Sequence, residues 1–144
     1  MFVAAKLGTI LVPSGPGNDP GRKHLFVVLT DPYGPAKQVL LAPVCSVIKD
    51  VKPDDSCLLG AADHEFLQHD SYIDYAKIRI ERADTLEHGV TSGAIVEKPP
   101  VSAAVYARVL AGMGKSKFAK PFAKDFLADS QKPNKPTKAG GAAP

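Results

Sequence analysis

Through the first hundred positions apolar residues fall in short runs cut by turn chemistry, and beyond them they recur at helical spacing. Leu7–Val12 is a short apolar strand that stops at Pro13. His24–Thr30 carries Leu25-Phe26-Val27-Val28-Leu29 without a polar break, the pattern of a strand buried on both faces. Gln38–Val44 repeats that pattern, and Ser56–Leu59 is a shorter copy. Ser71–Glu81 alternates, with Ile78 and Ile80 on one side and Lys77, Arg79 and Glu81 on the other. Ala83–His88 predicts one helical turn closed by Gly89, and Val90–Val96 a last strand before Pro99-Pro100 stops any sheet.

Val101, Val105 and Val109 then stand four apart, which predicts a helix over Val101–Met113, ended by Gly112 and Gly114. Pro121 suits the first turn of a short helix over Pro121–Ala128. Phe118, Phe122 and Phe126 are interleaved with Lys117, Lys120 and Lys124, making that segment basic and amphipathic. Such a face either docks on a partner, membrane or nucleic acid, or anchors the helix to its own domain. From Asp129 onward there is no aromatic and no large aliphatic residue, so a disordered tail is expected. The division is a body over 1–114, the short basic helix over 115–128 and the tail over 129–144. Short strands with Gly/Pro turns and a terminal helix indicate a mainly β fold with helical additions: a small, strongly bent β-barrel followed by a C-terminal helix.

Charge refines that division. The whole chain carries +3, but seven lysines and two acids from Lys115 onward give the arm +5 and leave the body at −2. A near-neutral body with a basic arm is not a uniformly basic nucleic-acid protein. The longest uncharged apolar stretch, Val39–Ile48, is half the length of a spanning helix and is broken by Pro43, so no membrane association is expected. No basic n-region precedes the first apolar residues. Cys45 and Cys57 sit in apolar contexts and read as buried, reduced thiols of a cytoplasmic protein.

The order of motifs resembles the PemK/MazF-like toxins of toxin–antitoxin systems. The pattern is Gly8 before Thr9-Ile10-Leu11-Val12, the Gly/Pro-rich loop 13–21, then Arg22-Lys23-His24 ahead of an apolar strand. Pro43-Val44-Cys45-Ser46 follows where the family has Pro-x-Thr-Ser, and Ser71-Tyr72-Ile73-Asp74 precedes Ile78-Arg79-Ile80. The likeness covers about residues 7–113. Cys45 replaces the family's threonine, and the family's Arg-Pro falls on Arg22-Lys23 or Lys23-His24. The resemblance implies an SH3-like barrel and a sequence-selective endoribonuclease cutting single-stranded RNA without metal or other cofactor. It also implies a cognate antitoxin protein as partner, and a homodimer. The alternative is a non-catalytic PemK-like SH3-fold binding module.

RNA cleavage by the substrate's own 2′-hydroxyl needs a base, an acid and a cation at the phosphate. Arg22, Lys23 and His24 supply two cations and a titrating imidazole at one strand start. The same residues also fit an ordinary solvated strand end. Ser46 is the hydroxyl left beside Cys45. The second cluster is Asp63-His64-Glu65-Phe66-Leu67-Gln68-His69-Asp70. His64 and His69 are five apart, so they do not share a helix face as zinc ligands would, and no metal is expected. One of them serves proton transfer, or the cluster is a structural turn. Arg79 and Tyr72 are candidate RNA contacts, Tyr72 by stacking on a base, although a rim tyrosine of the barrel reads the same way. His88 is read as structural. Gly112-Met113-Gly114-Lys115-Ser116 lies at a helix end, not between strand and helix, and is not a nucleotide loop.

Overall fold

A computed structural model describes residues 2–14 and 21–132; most of the loop 13–21 and residues 133–144 of the tail lie outside the described residues. Seven strands form one antiparallel sheet: β1 Thr9–Pro13, β2 Lys23–Val28, β3 Gln38–Ser46, β4 Leu58–Leu59, β5 Ser71–Ile73, β6 Arg79–Arg82 and β7 Val96–Lys98. The order is β4-β5-β3-β2-β1-β7, with β6 also on β3. The path is open, with β4 and β7 at its ends. The fold is mainly β with helical additions, as expected from the pattern.

The unbroken apolar runs are explained by cover on both faces. Leu11, Leu25, Val27, Leu40, Ala42 and Val44 enter one core. Their alternates Ile10, Val12, Phe26, Val28, Val39 and Leu41 enter a second. The first core is roofed by α2, Ala103–Lys115, through Val105, Val109 and Met113, and by α3, Pro121–Ser130, through Ala123, Phe126 and Leu127. The second is closed by α1, Ala83–Ser92, through Ala83 and Leu86, together with Phe2, Ala4 and Ile95. Burial of this kind contributes on the order of 1.5–3 kcal/mol for each large apolar side chain.

Four expectations are corrected. Ser71–Glu81 is not one strand. Between the pairings Val44↔Ile73 and Leu41↔Arg79, β3 uses two residues and the opposite strand uses five. The three extra residues are taken up by a 3-10 turn, Tyr75–Lys77, which lets the Tyr75 ring into the first core, its hydroxyl donating to the Val109 carbonyl at 2.6 Å. The single turn Ala83–His88 is the ten-residue α1, running through Gly89 and closed by Gly93 at φ 86°. The strand placed at Val90–Val96 is therefore the end of that helix followed by β7. Gly112 does not end α2. It lies inside the helix, where a side chain would run into the Tyr75 hydroxyl, the Cys57 Cβ and the Ser56 carbonyl.

α2 begins where Ser102 caps it, accepting the Val105 N–H at 3.1 Å. α3 continues two residues past Ala128, to Ser130. No helix among the described residues is long and apolar enough to cross a membrane.

Candidate functional site

The β2–β3 ladder pairs Leu25 with Val44, so one step on His24 stands opposite Cys45, and Cys45 pairs with Tyr72. This row crosses three strands at one end of the sheet. Side chains in one row share a face, and these three are only partly buried, whereas the next row, Leu25, Val44 and Ile73, is core. A cleft of about 430 Å³ opens over the row, lined also by Arg22, Lys23, Ser46, Asp74 and Lys77. A smaller cavity of about 200 Å³ shares His24, Cys45 and Lys77 with it and adds Ser14, Phe26 and Arg79.

His24 is held between these two spaces. Its Nδ1 lies 2.9 Å from the Ser14 hydroxyl. Burial, and then the positive charges of Arg22 and Lys77, push its pKa below the ordinary value of 6.5. The ring is therefore neutral at pH 7, able to accept a proton. Burial and the Asp74 carboxylate push the Cys45 thiol up, against the opposing influence of Lys77 and a hydrogen bond with Tyr72. Burial, Cys45 and nearby acids likewise raise the Tyr72 phenol. Both are neutral hydrogen-bonding groups, not nucleophiles. Arg79 stacks its guanidinium 4.7 Å from the Phe26 ring. Its Nε is 3.3 Å from Glu81 yet makes no hydrogen bond. That leaves a cation at the mouth of the smaller cavity with a donor unsatisfied.

The residues singled out in the sequence thus divide. Arg22, Lys23, His24, Ser46 and Tyr72 share the cleft, and Arg79 reaches it through the smaller cavity. His69 lines an adjoining hollow of about 380 Å³ with Phe66 and Lys98, which meets the cleft at Ser46, Leu67 and Ser71. His64 is not in the cleft. It is buried, its Nδ1 accepting the Phe66 N–H at 3.0 Å. That places its proton on Nε2, 2.7 Å from the Pro99 carbonyl, to which Thr9 also donates at 2.8 Å. Its role is to fasten the 64–67 turn against β1. His88 lines a shallow surface with Arg82, Asp84 and Thr85, inside α1, not at its end.

Lys77 and Asp74 were missed. An alternating strand gives no reason to single out Lys77; the 3-10 turn carries it to the edge of both spaces beside His24. Cys45 was expected in the core and instead lines the cleft, while Cys57 is buried; both thiols are free. No group of three His, Cys, Asp or Glu side chains that could hold a metal ion occurs among the described residues.

No protein-family model matches the chain, and no curated protein matches it. The likeness to PemK/MazF toxins therefore stands on the motif order alone.

Proposed function

We propose that this cleft binds single-stranded RNA and cleaves it with the RNA's own 2′-hydroxyl as nucleophile, in the manner of a PemK/MazF-like endoribonuclease toxin. The observation that carries the reading is a neutral His24 flanked by Arg22, Lys23 and Lys77 in one cleft. His24 takes the 2′-hydroxyl proton, and the 2′-oxygen forms its bond to phosphorus as the bond to the 5′-oxygen breaks. The cations hold the charge that gathers on the phosphate oxygens. His69, across Ser46 and Ser71, is the group left to protonate the departing 5′-oxygen. Products are a 2′,3′-cyclic phosphate and a 5′-hydroxyl. Tyr72 and Ser46 position the strand. On this reading the protein is a cytoplasmic growth inhibitor, acts as a homodimer and is neutralised by an antitoxin protein.

Cys45, a neutral thiol where the family has threonine, favours a second reading, a non-catalytic binding module on the same cleft. Incubating purified protein with single-stranded RNA in chelator separates the two. Cyclic-phosphate products support cleavage. RNA bound with strong salt dependence and left intact supports the module. RNA neither bound nor cut overturns cleavage and leaves the module reading with a protein or another molecule as its ligand.

A further inference from the structure

The cavity of about 200 Å³ beside the cleft lies one pleat along the sheet from the His24 row. Phe26 pairs with Pro43, and the two stand two residues in from His24 and Cys45. Alternate residues of a strand share a face, about 6.6 Å apart. Phe26 and Pro43 are therefore the next step on the face that carries His24. Arg79 pairs with Leu41, one step further along the same face. Its side chain reaches back and lays the guanidinium over the Phe26 ring, with Cζ 4.7 Å from the centroid. The cavity thus has His24 and Cys45 at one end, Arg79 at the other, and Lys77 at its edge.

Positive charge gathers here with no acid to balance it. Lys77 is exposed, and the carboxylate it pairs with, Asp74, is 4.0 Å away and lines the cleft instead of this cavity. Glu81 approaches the Arg79 Nε at 3.3 Å without accepting its hydrogen, so that buried N–H has no partner. Among the described residues no Asp or Glu lines the cavity. Its free donors are therefore cationic. A phosphodiester offers acceptor oxygens and a negative charge, which Arg79 and Lys77 match. A base edge mixes donors with acceptors. Phe26 is buried and the guanidinium already covers its ring, so no face is left on which a base could stack.

We propose that Arg79 holds the phosphodiester next to the one that is cut, with Lys77 between the two. On the RNA reading, on which this rests, the cavity is a second phosphate subsite. The step from the His24 row to the Phe26 row is close to the distance between successive phosphates of an extended single strand. One strand lying along β2 and β3 can therefore meet both places at once. Arg79 fixes the register of that strand and takes no part in proton transfer.

The test uses the full chain and a single-stranded RNA of mapped cut site, with a neutral methylphosphonate replacing one flanking phosphate at a time. On the parent, one of these replacements should slow cleavage about tenfold or more, the cost of one charge-assisted contact. Arg79→Gln should slow cleavage of the unmodified RNA by a similar factor and be indifferent to that replacement. Equal sensitivity of parent and variant, or a parent insensitive to every flanking replacement, overturns the subsite while cleavage itself stands. A melting curve checks the folding of the variant, and the parent's own response needs no variant. Inorganic phosphate, titrated against chloride at constant ionic strength, gives a readout that needs no cleavage. The Arg79 Nε–H resonance should shift with a Kd of about 1–10 mM. If it shifts but RNA is neither bound nor cut, the ligand is a free phosphate ion, and the RNA reading has failed while the anion site stands. An Arg79 resonance unmoved by phosphate overturns the proposal whether or not RNA is cut.

Discussion

The Ser14 hydroxyl engages Nδ1 of His24 at 2.9 Å, which leaves Nε2 as the nitrogen available to substrate. Burial, Arg22 and Lys77 hold the His24 pKa below 6.5. In the window between that lowered value and 6.5, the unfolded chain binds more protons than the folded one. The stability owed to neutral His24 is therefore fully present above 6.5 and is lost as pH falls through the folded value. The melting temperature of the parent should fall more steeply than that of His24→Gln on going from neutral to mildly acidic pH. RNA cleavage should rise with pH through the same window as His24 loses its proton. Parallel melting curves for the two proteins would contradict this.

Arg22→Ala and Lys77→Ala should each lower the cleavage rate about a hundredfold, the usual cost of one oriented charge-stabilising group. Ser46→Ala should cost less. All three side chains lie at the cleft, and Arg22 and Lys77 are exposed, so thermal melts should barely move. Single-turnover rates beside melting curves decide it.

His64→Ala should act in the opposite way. It strips the Phe66 N–H and the Pro99 carbonyl of a buried partner, at a cost of about 1–3 kcal/mol. The rate at saturating RNA, well below the melting temperature, should stay within a few-fold of the parent. A large rate loss with an unchanged melt would return His64 to the chemistry.

Gly112→Ala and Gly114→Ala, both inside α2, should differ in sign. A methyl at Gly112 meets Tyr75, Cys57 and Ser56, whereas nothing lies within 4 Å of one at Gly114. The first should destabilise by about 1–3 kcal/mol through overpacking. The second should stabilise by up to about 1 kcal/mol through helix propensity. Tyr75→Phe removes the hydroxyl and should relieve part of the Gly112→Ala penalty, at the cost of its bond to Val109. Denaturant unfolding of the double mutant measures that coupling.

The fold class was legible because the apolar runs at Leu25–Leu29 and Val39–Leu41 are long and unbroken, as two-sided burial requires. What failed were places where tertiary contact overrode local signals. Gly89 and Gly112 looked like helix terminators, but each allows close packing, Gly89 under Ile95 and Gly112 under Tyr75. The 3-10 turn escaped notice because Ile78, Arg79 and Ile80 alternate whether or not three residues are inserted before them. Of the site, the Arg22–His24 segment could be found from its residue types. Lys77 could not, since its position depends on that insertion. Nor could the separation of His64 from His69, which is decided by the distant Thr9 and Pro99.

Free native protein should show one reactive thiol and unfolded protein two. Cys57 is buried and Cys45 lines the cleft, and neither is in a disulfide. Burial raises both pKa values, so Cys45 should label slowly at neutral pH and faster as pH rises. Thiol counting with and without denaturant gives the answer, and two fast native thiols would contradict the placement of Cys57.

The pairing of Thr9 with Lys98 has a consequence for synthesis. β1 precedes the other described strands in synthesis, and its outer neighbour β7 follows about ninety residues later. Until then a hairpin of β1 and β2 carries an uncovered edge with Ile10, Leu11 and Val12 along it. Such an edge is a template for wrong pairing between chains. A nascent chain halted between Val28 and Val96 presents that edge for as long as it stalls, so β1 stays open to wrong pairing through most of the sheet's synthesis.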